Sequence, residues 1–330
     1  MAWSRIPDCT VRACRTFEAE DTGLKVLVLG GAGFLGANMA ASMMANGHAV
    51  HLLDRKFDVV SSTRILGDAM GVHVQDAGDT GQIVSLVERH KIDCVINFVS
   101  TLLPSSPFEA FAQEMLHVTL PGFRLLNELS ERSVKYVYFS SGGTVYGTHK
   151  AGKKSESDLT LPINHYGFAK LLYEEYISLL SRTRGLNSLI IRPSNPYGPF
   201  QDPTRKQGII AVALDRIRRG EEIEIWGDGS VVRDYVWVKD LTFAVTALIE
   251  VSAWGQTYNV GAGVGHSVNQ VISAIELIVG KKARLAYKPA RVVDAPDIVL
   301  DISKIKSVIQ YDPVDLRVGL ERYIGNADVR

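Results

Sequence analysis

Cysteine is scarce in this chain of 330 residues: there are three, Cys9, Cys14 and Cys94. They form no disulfide framework and stand at no metal-ligand spacing with histidine, so no metal is expected. That usage fits a reducing cytoplasm. Neither sign of charge dominates, because Lys+Arg and Asp+Glu are 36 each. With no bulk field, nucleic acid and anionic membrane are not expected partners. An anionic ligand must instead be held by local basic groups and backbone amides. Long apolar runs are missing as well; nothing approaches the ~18 consecutive apolar residues of a membrane span. Residues 1–23 lack an apolar core and mix Arg5, Arg12 and Arg15 with Asp8, Glu18, Glu20 and Asp21. This argues against a secretory signal, and the segment reads as a poorly ordered extension. No internal repeat and no low-complexity segment is found.

What is present is the balance of an ordinary soluble globular protein, 46% hydrophobic and 22% charged. Short apolar runs over 25–29, 49–54, 72–74, 94–98, 136–140 and 188–192 read as strands. Helical patterns lie between them over 34–46, 82–90, 108–130 and 166–184, and Gly47 should end the first. Strands buried on both faces, each followed by a helix, make an α/β doubly wound parallel sheet. Beyond residue 192 the strands shorten and Pro and Gly increase. Helices over 209–219 and 268–279 and strands over 223–226 and 284–287 give a smaller C-terminal α+β lobe.

The first strand runs into Gly30-Gly31-Ala32-Gly33-Phe34-Leu35-Gly36. Gly30, Gly33 and Gly36 permit a tight turn and close backbone approach to a pyrophosphate, and the helix that follows adds unpaired amides. Asp54 ends the second strand, 18 residues after Gly36. An acid there accepts from the hydroxyls of an adenosine ribose and repels a 2′-phosphate, which favours NAD over NADP. Arg55 follows it and is counted with the cofactor contacts.

Tyr166-Gly167-Phe168-Ala169-Lys170 places Tyr and Lys at i and i+4, on one face of a helix. Such a pair can act as a general base. A free phenol titrates near 10, and bringing it to about 7 takes ~4 kcal/mol. One cation supplies about 1–3 pKa units, so Lys170 alone is marginal, and an oxidised nicotinamide could supply the rest.

Together these motifs resemble the extended branch of the short-chain dehydrogenase/reductase superfamily, with its Rossmann sheet, over residues 24–325. The resemblance implies an NAD-binding domain over 24–192, to which 240–262 return, and a nucleotide-sugar lobe mainly over 193–330. It implies adenine contacts from Asp76 and Ala77, and a segment beside the cofactor at Phe98, Val99 and Ser100. Asn97 stands where the family usually has His. Ser140 and Pro193 are expected against the cofactor. In Ser140-Ser141-Gly142-Gly143-Thr144-Val145-Tyr146-Gly147 the family's hydroxyl position falls on Gly142, so Ser141 is expected to take the role, with Thr144 as the other candidate. Gly143 and Thr144 stand where the 4,6-dehydratases carry Asp-Glu, and where decarboxylases usually carry a Glu. Asn195, Arg233, Arg291 and Asp294 match the family's nucleotide-sugar contacts; Trp226 and Ile209 could sandwich the base, and Ile298 stands at a position that gates an N-acetyl group.

The expectation is therefore an NAD-dependent nucleotide-sugar epimerase, most similar in pattern to UDP-glucose 4-epimerases and their hexuronic and N-acetyl counterparts. It would be a homodimer, through the helices over 108–130 and 166–184, acting on a nucleotide-diphosphate sugar. A keto-sugar-nucleotide reductase, a dehydratase and a non-catalytic dinucleotide sensor stand as alternatives.

Overall fold

A computed structural model describes residues 23–57, 69–148, 152–204, 208–289 and 297–327. The apolar run Val26–Leu29 within β1 (Lys25–Leu29) is buried without gaps, as a central parallel strand covered on both faces must be. Burying each such side chain contributes roughly 1.5–3 kcal/mol. β1 pairs in parallel with β2 (Ala49–Asp54) on one side and β4 (Cys94–Asn97) on the other. β3 (Gly71–Val74) lies outside β2 and alternates in exposure, as an edge strand can. β5 (Lys135–Phe139) and β6 (Ser188–Pro193) extend the other side, and β10 (Gln256–Val260) closes it. The order is β10-β6-β5-β4-β1-β2-β3, with every pairing parallel. The chain reverses its direction of winding between β1 and β4. At that switch point a crevice opens beyond the carboxyl ends of the strands.

Helices cover both faces. α1 (Phe34–Ala45) and α7 (Val238–Glu250) pack one side through Met39, Met43, Leu241 and Leu248. α2 (Thr80–His90), α4 (Leu120–Glu131) and α5 (His165–Arg184) pack the other through Ile83, Leu125, Leu129 and Ile177. Asn46 caps α1, and Gly47 at φ +81° turns the chain out of it, as the sequence indicates. The stretch read as mostly helix over 108–130 is helical throughout, as α3 (Phe108–Glu114), a π-helical turn (Met115–Thr119) and α4. Pro121 explains the π-helical turn, because it offers no N–H to the carbonyl four residues back.

The smaller lobe has its own core. α6 (Ile209–Arg219), α8 (Val268–Val279) and α10 (Leu316–Ala327) surround β7 (Asn195–Tyr197), β8 (Glu222–Trp226) and β9 (Val232–Trp237). β11 (Gly265–Ser267) pairs with β9, β12 (Arg284–Lys288) pairs with β8, and the short helix α9 (Ser303–Lys306) follows. No described helix is long and apolar enough to cross a membrane.

Candidate active site

A cleft of about 1560 Å³ lies over the switch point. That exceeds the ~300–1,000 Å³ usual for one drug-sized ligand, as a site for a cofactor and a substrate together would. Gly30, Gly33, Phe34, Leu35, Gly36, Asp54, Arg55, Asp76, Ala77, Phe98, Val99, Ser100, Ser140 and Pro193, expected from sequence as cofactor contacts, all line it.

Backbone geometry prepares one end for a dinucleotide. Gly30 has φ +81°, and a Cβ on Gly36 would sit 2.2 Å from the Gly30 carbonyl oxygen. Only glycine lets α1 pack this closely on the turn. Gly33 precedes the helix without a side-chain cap, and no acid occupies the first turn, so the first-turn amides remain for an anionic ligand. Asp54 accepts from the amides of Ala32 (3.1 Å) and Arg55 (2.7 Å), which fixes its carboxylate at the end of β2. Asp76 accepts from the Gly78 amide at 2.8 Å, which shapes the loop after β3. An uncapped helix start against a side-chain-free cradle, with an oriented carboxylate beyond it, fits NAD.

Tyr166 and Lys170 rise into the middle of the cleft from the first turns of α5. The Asn164 side chain accepts from the Gly167 amide at 2.8 Å, and this cap sets the turn on which Tyr166 sits. Lys170 is buried; its Nζ donates to the Phe139 carbonyl at 2.8 Å and lies 5.7 Å from the Tyr166 ring centre. Burial pushes the Tyr166 phenol up to about 12, against a hydrogen bond with Ser141 that lowers it. Burial brings the Lys170 ammonium down to about 8, opposed by the carboxylates of Glu114 and Glu174. Moving the phenol from there to neutrality takes about five units, or ~7 kcal/mol, more than a free phenol would need.

The neighbouring hydroxyls divide clearly. Ser141 is bonded to Tyr166, whereas Thr144 Oγ1 is buried with no partner among the described residues. Ser140 donates its hydroxyl to Glu174, so it lends the cleft its backbone and not its hydroxyl. Gly142 does not present a side-chain position to the cleft: a Cβ there would sit 2.7 Å from Leu300 Cδ1 and 3.0 Å from the Arg192 carbonyl. The missing hydroxyl is thus a packing requirement of this chain.

At the other end, Asn195 and Arg233 line the cleft. Asn195 Nδ2 donates to the Asp234 carbonyl at 3.0 Å, and Arg233 Nη1 to the Val232 carbonyl at 2.9 Å. Trp226 on β8 and Ile209 at the start of α6 do not line the cleft formed by the described residues. Trp226 is 41% exposed on its alternating strand, and Ile209 packs against the lobe's core. Ile298 is buried at 1% in the main core, beside Arg233 in a β-bridge, and does not face the cleft either. Arg291 and Asp294 lie outside the described residues.

Comparison with known proteins agrees with this geometry. The family model for the NAD dependent epimerase/dehydratase family matches residues 26–261. The chain belongs to this family. Among solved structures it is similar to a UDP-glucose 4-epimerase with UDP-glucose from Thermotoga maritima: TM-score 0.85, 29% identity, 93% of this chain and 100% of that one. It is also similar to the Thermus thermophilus UDP-glucose 4-epimerase complex with NAD: TM-score 0.81, 26% identity, 92% and 98%. A dTDP-4-dehydro-6-deoxyglucose reductase from Escherichia coli is 28% identical over 308 residues, 91% of this chain and 96% of that protein. The protein is thus an enzyme of the NAD-dependent epimerase, dehydratase and reductase group, with NAD as its cofactor.

In this family member, several polar groups outside the expected site residues hold the structure around the cleft. Arg192 and Glu174 form a buried ion pair at 2.6 Å, and Arg192 also donates to Tyr146 at 3.0 Å. Tyr146 donates to Asn259 at 2.6 Å, so this residue, which follows β5, bridges Arg192 on β6 and Asn259 on β10. Asp234, fully buried on β9, accepts from the amides of Ala262, Gly263 and Leu300 and so ties two separate segments to that strand. Glu114 accepts from the Thr101 amide and hydroxyl at 2.8 and 2.6 Å. Asn97 turns into the core, donating to Tyr136 at 2.7 Å and accepting from the Val99 amide at 2.8 Å. It positions the cofactor segment from below and does not enter the cleft.

Proposed function

We propose that the protein is a 4-epimerase of a UDP-hexose, or of a UDP-hexuronate or UDP-N-acetylhexosamine. The observation that carries this reading is the Ser141–Tyr166–Lys170 arrangement in a cleft with no carboxylate at positions 143 and 144. Eliminating water from a sugar needs an acid and a base of its own beside C5 and C6. Gly143 and Thr144 supply neither, which favours chemistry confined to C4.

NAD bound along the glycine turn and Asp54 would supply a hydride acceptor and donor and a positive charge beside the base. Tyr166 takes the proton of the 4-hydroxyl as a phenolate. Ser141 donates to that phenolate or to the sugar oxygen, and Lys170 holds a buried positive charge below the ring. Arg233 and Asn195 hold the diphosphate end of the substrate while the sugar presents its other face; Arg291 and Asp294 are proposed for the same end. The apolar side chains that α4 and α5 leave exposed, among them Leu120 (47%), Phe168 (50%) and Leu179 (43%), support a homodimer through these helices.

The similarity to a dTDP-sugar reductase keeps a one-way reductase as the second reading. The two separate on cofactor balance. The purified enzyme, given UDP-glucose and no added nicotinamide, should convert many equivalents with no net change in reduced cofactor absorbance. No conversion of UDP-glucose, together with one-for-one oxidation of added NADH or NADPH by a 4-keto sugar nucleotide, would replace the epimerase with a reductase.

A further inference from the structure

Three histidines far apart in sequence meet at the β3 edge of the main sheet, away from the cleft. His51 comes from β2, His73 from β3 and His90 from the last residue of α2. One ring nitrogen from each lies within 4.8 Å of the others. His51 Nδ1 and His73 Nε2 are 3.2 Å apart. A tetrahedral zinc with Zn–N bonds of about 2.0–2.1 Å needs ligand nitrogens about 3.3 Å apart, so this pair already spans one edge of such a site. The rings of His51 and His90 are 4.4 Å apart, close enough for His90 to complete a face by a side-chain rotation.

The space between the rings is kept by the backbone. Gly71 pairs with His51 across the sheet, and a Cβ there would sit 2.7 Å from His51 Nδ1 and 3.0 Å from His73 Nε2. The protonation state suits a metal as well. Burial, then the other two rings, then Lys25 bring His51 down to about 4, and burial with His90 and Arg89 lowers His73. Both shifts favour the neutral form, the one that ligates metals. Binding requires only that each ring carry its remaining proton on the nitrogen away from the metal.

We infer that His51, His73 and His90 form a binding site for a divalent transition-metal ion of the zinc type, with water as the fourth ligand. All the donors are imidazoles and Lys25 and Arg89 stand nearby, so magnesium and calcium, which require oxygen donors, are excluded as occupants. The ion would fasten β2, β3 and α2 together. His51 is three residues before Asp54, about 10 Å along the strand, so the clamp would act on the edge that carries the adenosine contacts.

The test is calorimetric titration of the NAD-loaded enzyme with Zn²⁺ in a non-chelating buffer. One ion per chain is expected. His73→Ala and His90→Ala should each weaken binding at least tenfold, while His266→Ala, outside the cluster, should not. Co²⁺ titrated into the unaltered protein gives a readout independent of variant folding. Intense visible bands of tetrahedral Co²⁺ would support the site, and the weak bands of octahedral Co²⁺ would overturn it. Equal Zn²⁺ binding by the wild type and the His73→Ala/His90→Ala double variant would also overturn it.

Discussion

Removing the Ser141 hydroxyl should shift the pH at which the enzyme gains activity. Tyr166 must be a phenolate to accept the sugar proton, so activity rises with pH through its pKa in the loaded enzyme. Burial raises that pKa, and the Ser141 hydrogen bond opposes burial. A hydrogen bond to a charged group contributes about 1.5–3 kcal/mol, which corresponds to about 1–2 pKa units. Ser141→Ala therefore raises the Tyr166 pKa and moves the rising limb of kcat to higher pH by that amount. At a pH below both limbs the loss is about 10- to 100-fold, and raising the pH recovers most of it. The assay is kcat against pH for cofactor-loaded wild type, Ser141→Ala and Thr144→Val. Thr144 makes no bond to Tyr166, so Thr144→Val should leave the limb in place. A limb that stays put in Ser141→Ala, or moves in Thr144→Val instead, would refute the reasoning.

Tyr166→Phe should abolish turnover yet leave NAD content and melting temperature near normal, as measured by absorbance after denaturation and by calorimetry. Gly142→Ser, which would restore the hydroxyl common in the family, should instead lower stability by about 1–3 kcal/mol through overpacking against Leu300; thermal melting checks this. Glu174→Gln breaks the buried pair with Arg192 and should cost about 3–5 kcal/mol in denaturant titration. Asn164→Ala removes the cap of α5, about 1 kcal/mol, and should lower kcat by more than that loss of stability explains, because Tyr166 sits in the first turn.

The sheet was legible because its strands are uninterrupted apolar runs, such as Val26–Leu29, and because Gly30, Gly33 and Gly36 leave few alternatives to a phosphate turn. Tyr166 and Lys170 were legible because helical spacing alone puts them on one face. What sequence could not supply was direction. Asn97 opens the segment expected beside the cofactor, and nothing in the sequence shows that its amide donates to Tyr136 in the core. Ile298 stands at a family-like position, but core packing holds it under the cleft, whereas Trp226 ends β8 on its exposed face. The Arg192–Glu174 pair and the His51–His73–His90 cluster were invisible because each is made by strands and helices that meet only in the fold.

The most direct test of the central claim is product analysis by NMR. Purified enzyme would be incubated with UDP-glucose, UDP-glucuronate and UDP-N-acetylglucosamine, each without added reductant. The account predicts the 4-epimer of at least one of them, formed to an equilibrium mixture. No 4-epimer from any of the three, with NAD bound and the protein folded, would contradict it.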